Sequence, residues 1–246
     1  MYALRLAELG ADVVVADADL RSYEQFEAER ERMTAESTAE EVRALGRRAS
    51  ELQFDVTDPR AVEEAVARID REFGRLDIAI CNAGGGTGTP EESRASIVDA
   101  DLFDTVVKRN LYGTVNTCRA AVPLMKRHRY GRIVTVSSQA GRRGEEGGGY
   151  AHYGAAKAGI QMYTRYLAQD VGGYGITANC IAPGFIGTGR LNVMFEQAGA
   201  DKIAAQTALK RIGTPEDCAN VMQFLVTDLG SYVTGALIPV DGGSVR

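Results

Sequence analysis

The sequence predicts an α/β fold in which helices cover both faces of a doubly wound parallel sheet. Short apolar runs rich in valine and isoleucine alternate with longer helical patterns along the 246 residues. This alternation is typical of parallel strands joined by right-handed helical crossovers. No low-complexity linker or internal repeat interrupts it, so residues 1–246 are interpreted as a single domain.

Each predicted strand is a short, mostly apolar run rich in β-branched residues, and most are followed by a polar or glycine-rich turn. The three consecutive valines after Asp12 are the clearest example. In chain order, the predicted strands are Asp12–Ala16, Ser50–Phe54, Leu76–Cys81, Arg132–Val136, Ile176–Ala182 and Leu237–Val240. Ligands of such folds bind beyond the carboxyl ends of the strands, so the turns that follow these runs are candidate binding segments.

The predicted helices are marked by capping residues at their starts and by glycine at their ends. Gly10, Gly46 and Gly74 each end one, and Asp58 precedes a proline at the first helical position. The predicted helical segments are Met1–Leu9, Ser22–Leu45, Pro59–Phe73, Ala100–Arg129, Tyr150–Val171, Leu191–Leu209 and a helix that starts at Thr214.

The charged segment Ser22–Leu45 is expected to contain two helices. Thr38 and Glu41 have the spacing of a capping box, so a helix is predicted to start there. Tyr23–Ser37 then forms an inserted helix without an assigned function. Leu191–Leu209 is expected to be a mobile lid, and the glycine-rich loop Gly141–Gly149 is expected to border a substrate.

Composition argues against several classes of function. Hydrophobic residues make up 45% and charged residues 25% of the chain, the ordinary globular mixture. A net charge of −5 argues against nucleic-acid binding, and no apolar run approaches the ~20 residues of a membrane span. The cysteines lack metal-ligand spacing, so we expect no metal site and reduced, mostly buried thiols in a cytoplasmic protein. These cysteines are Cys81, Cys118, Cys180 and Cys218.

Ser138, Tyr153 and Lys157 form the most informative pattern in the chain. Tyr153 and Lys157 are four residues apart and therefore lie on one face of a helix. A nearby ammonium favours the phenolate form of tyrosine, which suits general acid/base catalysis. A serine at the end of a strand can hydrogen-bond the same substrate oxygen. The three groups suit proton transfer to or from a carbonyl or alcohol oxygen, although the Tyr–Lys spacing also arises by chance.

Several residues of the chain resemble the short-chain dehydrogenase/reductase family. The resemblance covers essentially the whole chain, in order, and its motifs are specific in combination. The matching residues are Asp55, Val56, Asn82, Ala83, Gly84, Asn110, Ser138, Tyr153, Lys157, Pro183, Gly184, Ile186 and Thr188. The resemblance implies a Rossmann-like fold and hydride transfer between a nicotinamide cofactor and an alcohol or carbonyl compound.

The resemblance also implies a role for each catalytic residue. Tyr153 would be the general acid/base, Lys157 would lower its pKa and bind the nicotinamide ribose, and Ser138 would polarise the carbonyl. Asn110 would hold a water molecule of a proton relay at a helix kink. Alternatives remain for two of them: Ser137 competes with Ser138, and Tyr150, which lacks a lysine four residues later, competes with Tyr153.

Two neighbouring assignments are less clear. Asn110 has the competing interpretation of a helix residue that bonds its own backbone. His152 is adjacent to Tyr153 in sequence but points elsewhere on a helix. It is interpreted as a spacer or as an indirect support of the site.

Cofactor choice depends on Asp17, which follows a predicted strand. A carboxylate there accepts hydrogen bonds from the ribose 2′-hydroxyl and repels a 2′-phosphate, which favours NAD over NADP. Alternatively, Asp17 is a solvated loop residue, and the nearby Arg21 could bind the 2′-phosphate of NADP. By resemblance, Asp55 and Val56 would bind adenine, and Asn82 to Gly84 would pass under the adenosine ribose. The segment from Pro183 to Thr188 would hold the nicotinamide carboxamide, through Ile186 and Thr188.

The start of the chain departs from the family pattern. Members begin with a strand in the middle of the sheet and a glycine-rich turn that cradles the pyrophosphate, about twenty residues in all. Met1 lies inside the helix expected to follow that turn. Either Met1 is an internal methionine of a longer protein, or the chain is a non-enzymatic relative; the retained Tyr153 and Lys157 favour the first. A smaller departure is Cys81, where the family often has asparagine.

The sequence therefore predicts an oxidoreductase for an alcohol or carbonyl substrate, resembling 3-oxoacyl-carrier-protein reductases and secondary-alcohol dehydrogenases. The alternative is a cofactor-free scaffold on the same fold. Lys126–Arg129 and Arg132 could receive an acidic carrier protein, but a solvated helix end with cations near its C-terminus is the favoured interpretation. The resemblance implies a homotetramer in which Ala100–Arg129 and Tyr150–Val171 pack between subunits.

Overall fold

The computed structural model describes residues 1–244, apart from the side chain of Arg190. The strands of this part are β1 Val13–Asp17, β2 Ala49–Gln53, β3 Ile78–Cys81, β4 Gly131–Val136, β5 Ile176–Pro183 and β6 Leu237–Val240. The α-helices are α1 Tyr2–Glu8, α2 Glu27–Arg30, α3 Thr38–Ala44, α4 Pro59–Phe73, α5 Ala100–Val107, α6 Gly113–His128, α7 Ala151–Val171, α8 Gly189–Ala198, α9 Ala200–Ala205 and α10 Pro215–Val226. Most predicted elements are confirmed to within a few residues.

The strands form two sheets, whereas the sequence predicts a parallel sheet that lacks the first, central strand of the family pattern. β1 pairs with β2, and a second sheet has the order β3-β4-β5-β6. The pairs β1/β2, β3/β4 and β4/β5 are parallel, as predicted. Among the described residues no ladder joins the two sheets, so β1 and β3 each have one edge without a paired strand.

The chain divides into two compact units. The Asp17 unit comprises Met1–Phe54, Pro183–Phe224 and residues 240–244. The Tyr153 unit comprises Asp55–Ala182 and Leu225–Pro239. In the Asp17 unit, α1 and α3 pack on β1, and α3 also packs on β2.

The Tyr153 unit contains a well-packed apolar core between its sheet and two helices. α6 and α7 both pack on β4. Their buried faces contribute Met125 and Val171 to the core, opposite Ile133 and Ile176 of the sheet. All four cysteines of the chain are buried free thiols, as the sequence predicts. The described residues contain no helix long and apolar enough to span a bilayer.

Three local predictions need correction. The helix predicted over Ala100–Arg129 is interrupted by a π-helical turn, Lys108–Tyr112, so α5 and α6 are separate segments. The cap of α3 is Ser37, whose hydroxyl accepts a hydrogen bond from the Glu40 N–H, one residue earlier than predicted. Thr38 is already helical. The inserted segment contains only a 3₁₀ turn and the single-turn α2 rather than a full helix.

Candidate active site

Tyr153 and Lys157 lie one turn apart on α7. The Nζ atom of Lys157 is 5.5 Å from the centre of the Tyr153 ring, so the pair shares one face, as the spacing predicts. Lys157 is 3% exposed, and its Nζ donates a hydrogen bond of 2.8 Å to the Val136 carbonyl at the end of β4. Burial lowers the pKa of this ammonium to about 8, because a low-dielectric environment disfavours the charged form.

The two adjacent serines after β4 have different environments. Ser137 is buried, and its hydroxyl donates to the Lys157 carbonyl and accepts from Gln161 Nε2, both at 2.8 Å. Ser138 is half-buried, and its hydroxyl caps a short 3₁₀ turn by accepting from the Ala140 N–H at 3.2 Å. The Ser138 hydroxyl therefore keeps the capacity to donate to a substrate oxygen, whereas both hydrogen-bonding roles of Ser137 are occupied.

Asn110 lies within the π-helical turn and is fully buried. Its Oδ1 atom accepts a hydrogen bond from the Gly85 N–H, and its Nδ2 atom donates one to the Gly85 carbonyl, each at 3.0 Å. Its amide also donates to the Val106 carbonyl at 2.8 Å. The kink expected at Asn110 is present, and its side chain anchors the loop after β3 while also bonding its own helix.

The loop after β3 needs glycine where it approaches Asn110. Gly84 has φ +150°, and a Cβ atom there would collide with Oδ1 of Asn110. Further along, Arg109 donates to the Thr87 hydroxyl at 3.1 Å. Thr87 and Arg109 are not predicted from the sequence, because loop contacts between distant residues have no local sequence signal.

The residues expected to bind adenosine follow β2 and β3. Asp55 accepts a hydrogen bond from the Thr57 N–H at 2.8 Å, which fixes the turn before α4. The Val56 carbonyl accepts one from Asn116 at 2.9 Å. Asn82, Ala83 and Gly84 are exposed. All of these residues belong to the Tyr153 unit.

Asp17 is the last residue of β1 and is exposed. One of its carboxylate oxygens accepts a hydrogen bond from the Asp19 N–H at 3.0 Å. Through its Nη1 atom, the guanidinium of Arg21 donates to the Tyr23 hydroxyl and to the Glu36 carbonyl. Arg21 is thus used in folding the inserted segment.

The segment Pro183–Thr188 is held mainly through its backbone. The Gly184 N–H donates to the Val240 carbonyl at 3.0 Å, and Ile186 forms an isolated bridge with Gly213. Thr188 is the N-cap residue of α8. Ile186 is buried, so any contact of this segment with a carboxamide would involve main-chain groups or Thr188.

The basic side chains of Lys126, Arg127 and Arg132, at and after the end of α6, form contacts within the protein. Arg127 pairs with Asp70 at 2.7 Å, and Lys126 pairs with Asp170 at 3.5 Å. Arg132 is buried and donates to the Gly131 carbonyl. Arg132 is therefore not available to a docking protein, which corrects one part of the sequence interpretation.

The residues present fit a nicotinamide cofactor. Gly84 lacks the Cβ that would collide with Asn110, and the start of the loop, residues 82–84, is exposed. Next to this loop, Tyr153, Lys157 and Ser138 provide a proton-transferring group, a buried cation and a hydroxyl. Within residues 1–244, no group of three or more His, Cys, Asp and Glu residues could hold a metal ion. The fold and these groups define an α/β oxidoreductase.

Comparison with known proteins identifies the family. The family model described as "Enoyl-(Acyl carrier protein) reductase" matches residues 1–244. The cyclohexanol dehydrogenase of Rhodococcus sp. strain TK6 is 57% identical over 242 residues, 98% of this chain and 90% of the relative. The 3-oxoacyl-[acyl-carrier-protein] reductase of Escherichia coli K12 is 34% identical over 81% of this chain and 79% of the relative. The chain belongs to the short-chain dehydrogenase/reductase family and is an oxidoreductase.

Solved structures confirm the predicted fold class. A short-chain dehydrogenase/reductase from Burkholderia xenovorans has a TM-score of 0.85 and 30% identity, covering 99% of this chain and 88% of that one. The structure of an NAD⁺-bound xylitol dehydrogenase has a TM-score of 0.87 and 28% identity, covering 98% and 92%. The fold is therefore Rossmann-like with parallel strands.

Proposed function

We propose that the protein is an NAD-dependent dehydrogenase that interconverts a secondary alcohol, of the cyclic aliphatic class, and its ketone. The observation that carries this proposal is the buried Lys157 ammonium 5.5 Å from the Tyr153 ring. The substrate class is supported by 57% identity to a cyclohexanol dehydrogenase. A nicotinamide cofactor, when bound, accepts the hydride during alcohol oxidation.

The side chains of the chain itself move and hold the proton. During alcohol oxidation, the Tyr153 phenolate takes the hydroxyl proton of the substrate, and during reduction the phenol returns it. The positive charge of Lys157 favours the phenolate. Ser138 donates a hydrogen bond to the substrate oxygen. Asn110 fixes the loop after β3 through Gly85, and a water molecule at the π-helical turn would relay the proton.

NAD preference is proposed from Asp17. Its exposed carboxylate offers an acceptor to a ribose 2′-hydroxyl and repels a 2′-phosphate. Arg21, the cation that could compensate a phosphate, is engaged with Tyr23 and Glu36. Asp55, Val56 and the segment Asn82–Gly84 would hold the adenosine portion, and Pro183, Gly184, Ile186 and Thr188 would hold the carboxamide.

Reduction of a 3-oxoacyl thioester on a carrier protein is a second candidate, because a relative of that activity is 34% identical. The proposed docking cations do not favour it: Arg132 is buried, and Lys126 and Arg127 are paired with carboxylates. The cofactor-free scaffold gains no support from the comparisons, since the relatives named above are enzymes.

Self-association is proposed through the helices predicted from the sequence. α7 exposes Met162 and Tyr166, which are 50% and 73% exposed, and the π-helical turn exposes Tyr112. Apolar side chains of this size are typical of subunit interfaces. We expect light scattering after size-exclusion chromatography to give the mass of four chains. A cytoplasmic location remains a prediction from the sequence.

The proposed function is tested with purified protein, a panel of alcohols and both cofactors. We expect NADH formation with cyclohexanol and related cyclic alcohols, and faster turnover with NAD than with NADP. Ketone reduction by NADH at lower pH should give the reverse reaction. Turnover of 3-oxoacyl thioesters but of no simple alcohol would instead favour the second candidate, and turnover of neither class would contradict both.

A further inference from the structure

We propose that His152 is a positioning residue for Tyr153, and that it acts by clamping the start of α7 to the loop after β3. The proposal rests on the proposed function, in which Tyr153 transfers the proton. It replaces the interpretation of His152 as a spacer, because the imidazole is completely buried and both of its nitrogens are hydrogen-bonded.

The partners of the ring determine its tautomer. Nδ1 accepts a hydrogen bond of 2.8 Å from the Tyr153 backbone N–H. Nε2 lies 3.0 Å from the Thr87 carbonyl oxygen. Since a backbone N–H only donates and a carbonyl only accepts, the ring is neutral with its proton on Nε2.

The start of α7 explains why such a contact is needed. The first N–H groups of a helix have no partner within the helix and usually bond a capping side chain. The N-cap residue Tyr150 has φ 54° and forms no capping hydrogen bond through its side chain. The Ala151 N–H donates to the Ser93 carbonyl instead. The Nδ1 atom of His152 supplies an acceptor for another of these first groups, the N–H of Tyr153.

The other end of the clamp fixes a loop that faces the same tyrosine. Thr87 is held by His152 and Arg109, and Gly85 is held by Asn110. Gly86 lies between these anchors, where a Cβ atom would be 3.9 Å from Cγ of Tyr153. The clamp therefore sets the spacing between Tyr153 and the loop, and a misplacement of about 1 Å near a reacting group costs up to ~10²-fold in rate.

Two substitutions of His152 separate positioning from simple packing. His152→Leu fills the space without a hydrogen bond, whereas His152→Asn keeps an oxygen close to the position of Nδ1. We expect kcat for cyclohexanol oxidation to fall about 10- to 100-fold in the leucine variant. The asparagine variant should recover a large part of that loss, and NADH affinity, followed by fluorescence, should stay near the wild-type value in both.

The matched control is His128→Leu, at the exposed end of α6, which should leave kcat unchanged. Equal kcat values for the asparagine and leucine variants, whether both normal or both low, would overturn the proposal. If the leucine variant does not fold, a wild-type value in the asparagine variant still supports the proposal. A value for the asparagine variant as low as that of an inactive Tyr153→Phe variant overturns it.

A second readout does not depend on turnover. The chain contains two histidines, so a long-range ¹H–¹⁵N spectrum of the wild-type protein resolves both rings, and the His128 variant assigns them. We expect the Nε2–H tautomer for His152, with a slowly exchanging proton. An Nδ1–H tautomer or a freely exchanging ring overturns the clamp, whereas failure of the wild-type protein to oxidise any alcohol overturns the proposed function alone.

Discussion

The Tyr153 unit and the Asp17 unit use polar residues in different ways. In the Tyr153 unit, Asn110, Ser137 and Lys157 are buried, and each has defined hydrogen-bond partners. In the Asp17 unit, the residues assigned to the cofactor are either exposed, as Asp17 is, or held through their backbone, as Gly184 is. In the proposed function, buried networks therefore support the proton-transferring groups, whereas the choice of cofactor depends on an exposed carboxylate.

The difference has an energetic basis. A buried polar group without a partner costs about 1–3 kcal/mol, so a buried site tolerates few substitutions. An exposed carboxylate is solvated and screened, so its replacement has little cost in folding. We therefore expect substitutions in the Tyr153 unit to have large effects on catalysis or folding. Substitutions in the Asp17 unit should have small effects on the cofactor preference or on stability.

The largest effect is expected at Tyr153. Tyr153→Phe removes the group that exchanges the proton, so kcat should fall about 10²- to 10⁴-fold while NADH still binds. Steady-state kinetics and NADH fluorescence measure the two quantities. The control is Tyr150→Phe, the rival tyrosine, which should retain activity. A Tyr153→Phe enzyme with a near-normal kcat would refute the assigned role.

A second test concerns the buried charge of Lys157. Its pKa is 10.5 in the unfolded chain and about 8 in the fold, so the unfolded state binds more protons between these values. The free energy of unfolding should therefore rise with pH in this window, by about 3 kcal/mol relative to a Lys157→Met variant. Urea unfolding from pH 7 to pH 11 measures the difference.

The control for Lys157 is Lys202→Met in α9, on an exposed residue of the Asp17 unit. This variant should follow the wild-type pH dependence. Parallel curves for the wild-type and Lys157→Met proteins would show that the ammonium is not destabilised by burial. Lys157 would then resemble an exposed lysine of the Asp17 unit in its contribution to the free energy of unfolding.

A substitution of Asp17 should change the preference of the enzyme for NAD over NADP. Asp17→Asn removes the charge that repels a 2′-phosphate, so the ratio of kcat/KM for NAD to that for NADP should fall about 10-fold, equivalent to ~1.4 kcal/mol. Asp19→Asn, in the same exposed turn, is the matched control and should leave the ratio unchanged. An unaltered ratio in the Asp17 variant would place cofactor selection elsewhere.

The smallest effect is expected at the start of α10. Asp217 accepts a hydrogen bond from the Thr214 N–H and pairs with Arg211, which holds its pKa at about 2. The lowered pKa means that this stabilisation is present above about pH 4 and is lost as the pH falls towards 2. Asp217→Asn should lower the free energy of unfolding by about 1 kcal/mol at pH 7 and leave kcat unchanged.

Chemical denaturation at pH 7 and at low pH measures this loss, with Asp201→Asn at the start of α9 as the control. The Asp217→Asn and Asp201→Asn variants should have equal free energies of unfolding near pH 2. A fall in kcat for the Asp217 variant would contradict the expectation that this residue of the Asp17 unit affects stability alone.

The sequence predicts the fold class well because strand and helix patterns are local. β1, α4 and α7 follow directly from the valine run, the Asp58 cap and the spacing around Tyr153. The kink at Asn110 is also confirmed. No local pattern predicts the break between the two sheets, but it agrees with the family resemblance, by which the chain lacks a first, central strand.

The supporting contacts of the site are likewise hidden from the sequence. The bonds from Asn110 to Gly85 and from His152 to Thr87 join residues 25 and 65 positions apart. No periodicity records such pairs. The shift of the α3 cap from Thr38 to Ser37 has a simpler cause: both residues have hydroxyl groups, and only the backbone geometry decides which one precedes the helix.

The π-helical turn at Lys108–Tyr112 has a consequence for how the gene can change. A π-turn contains one residue more than an α-helix needs to span the same distance. Deleting a single codon there would join α5 and α6 into one regular helix and leave the two parts close to their present orientation. The loss would fall on the turn itself, because the wide turn that presents Asn110 to Gly85 would close while the surrounding sequence stayed intact.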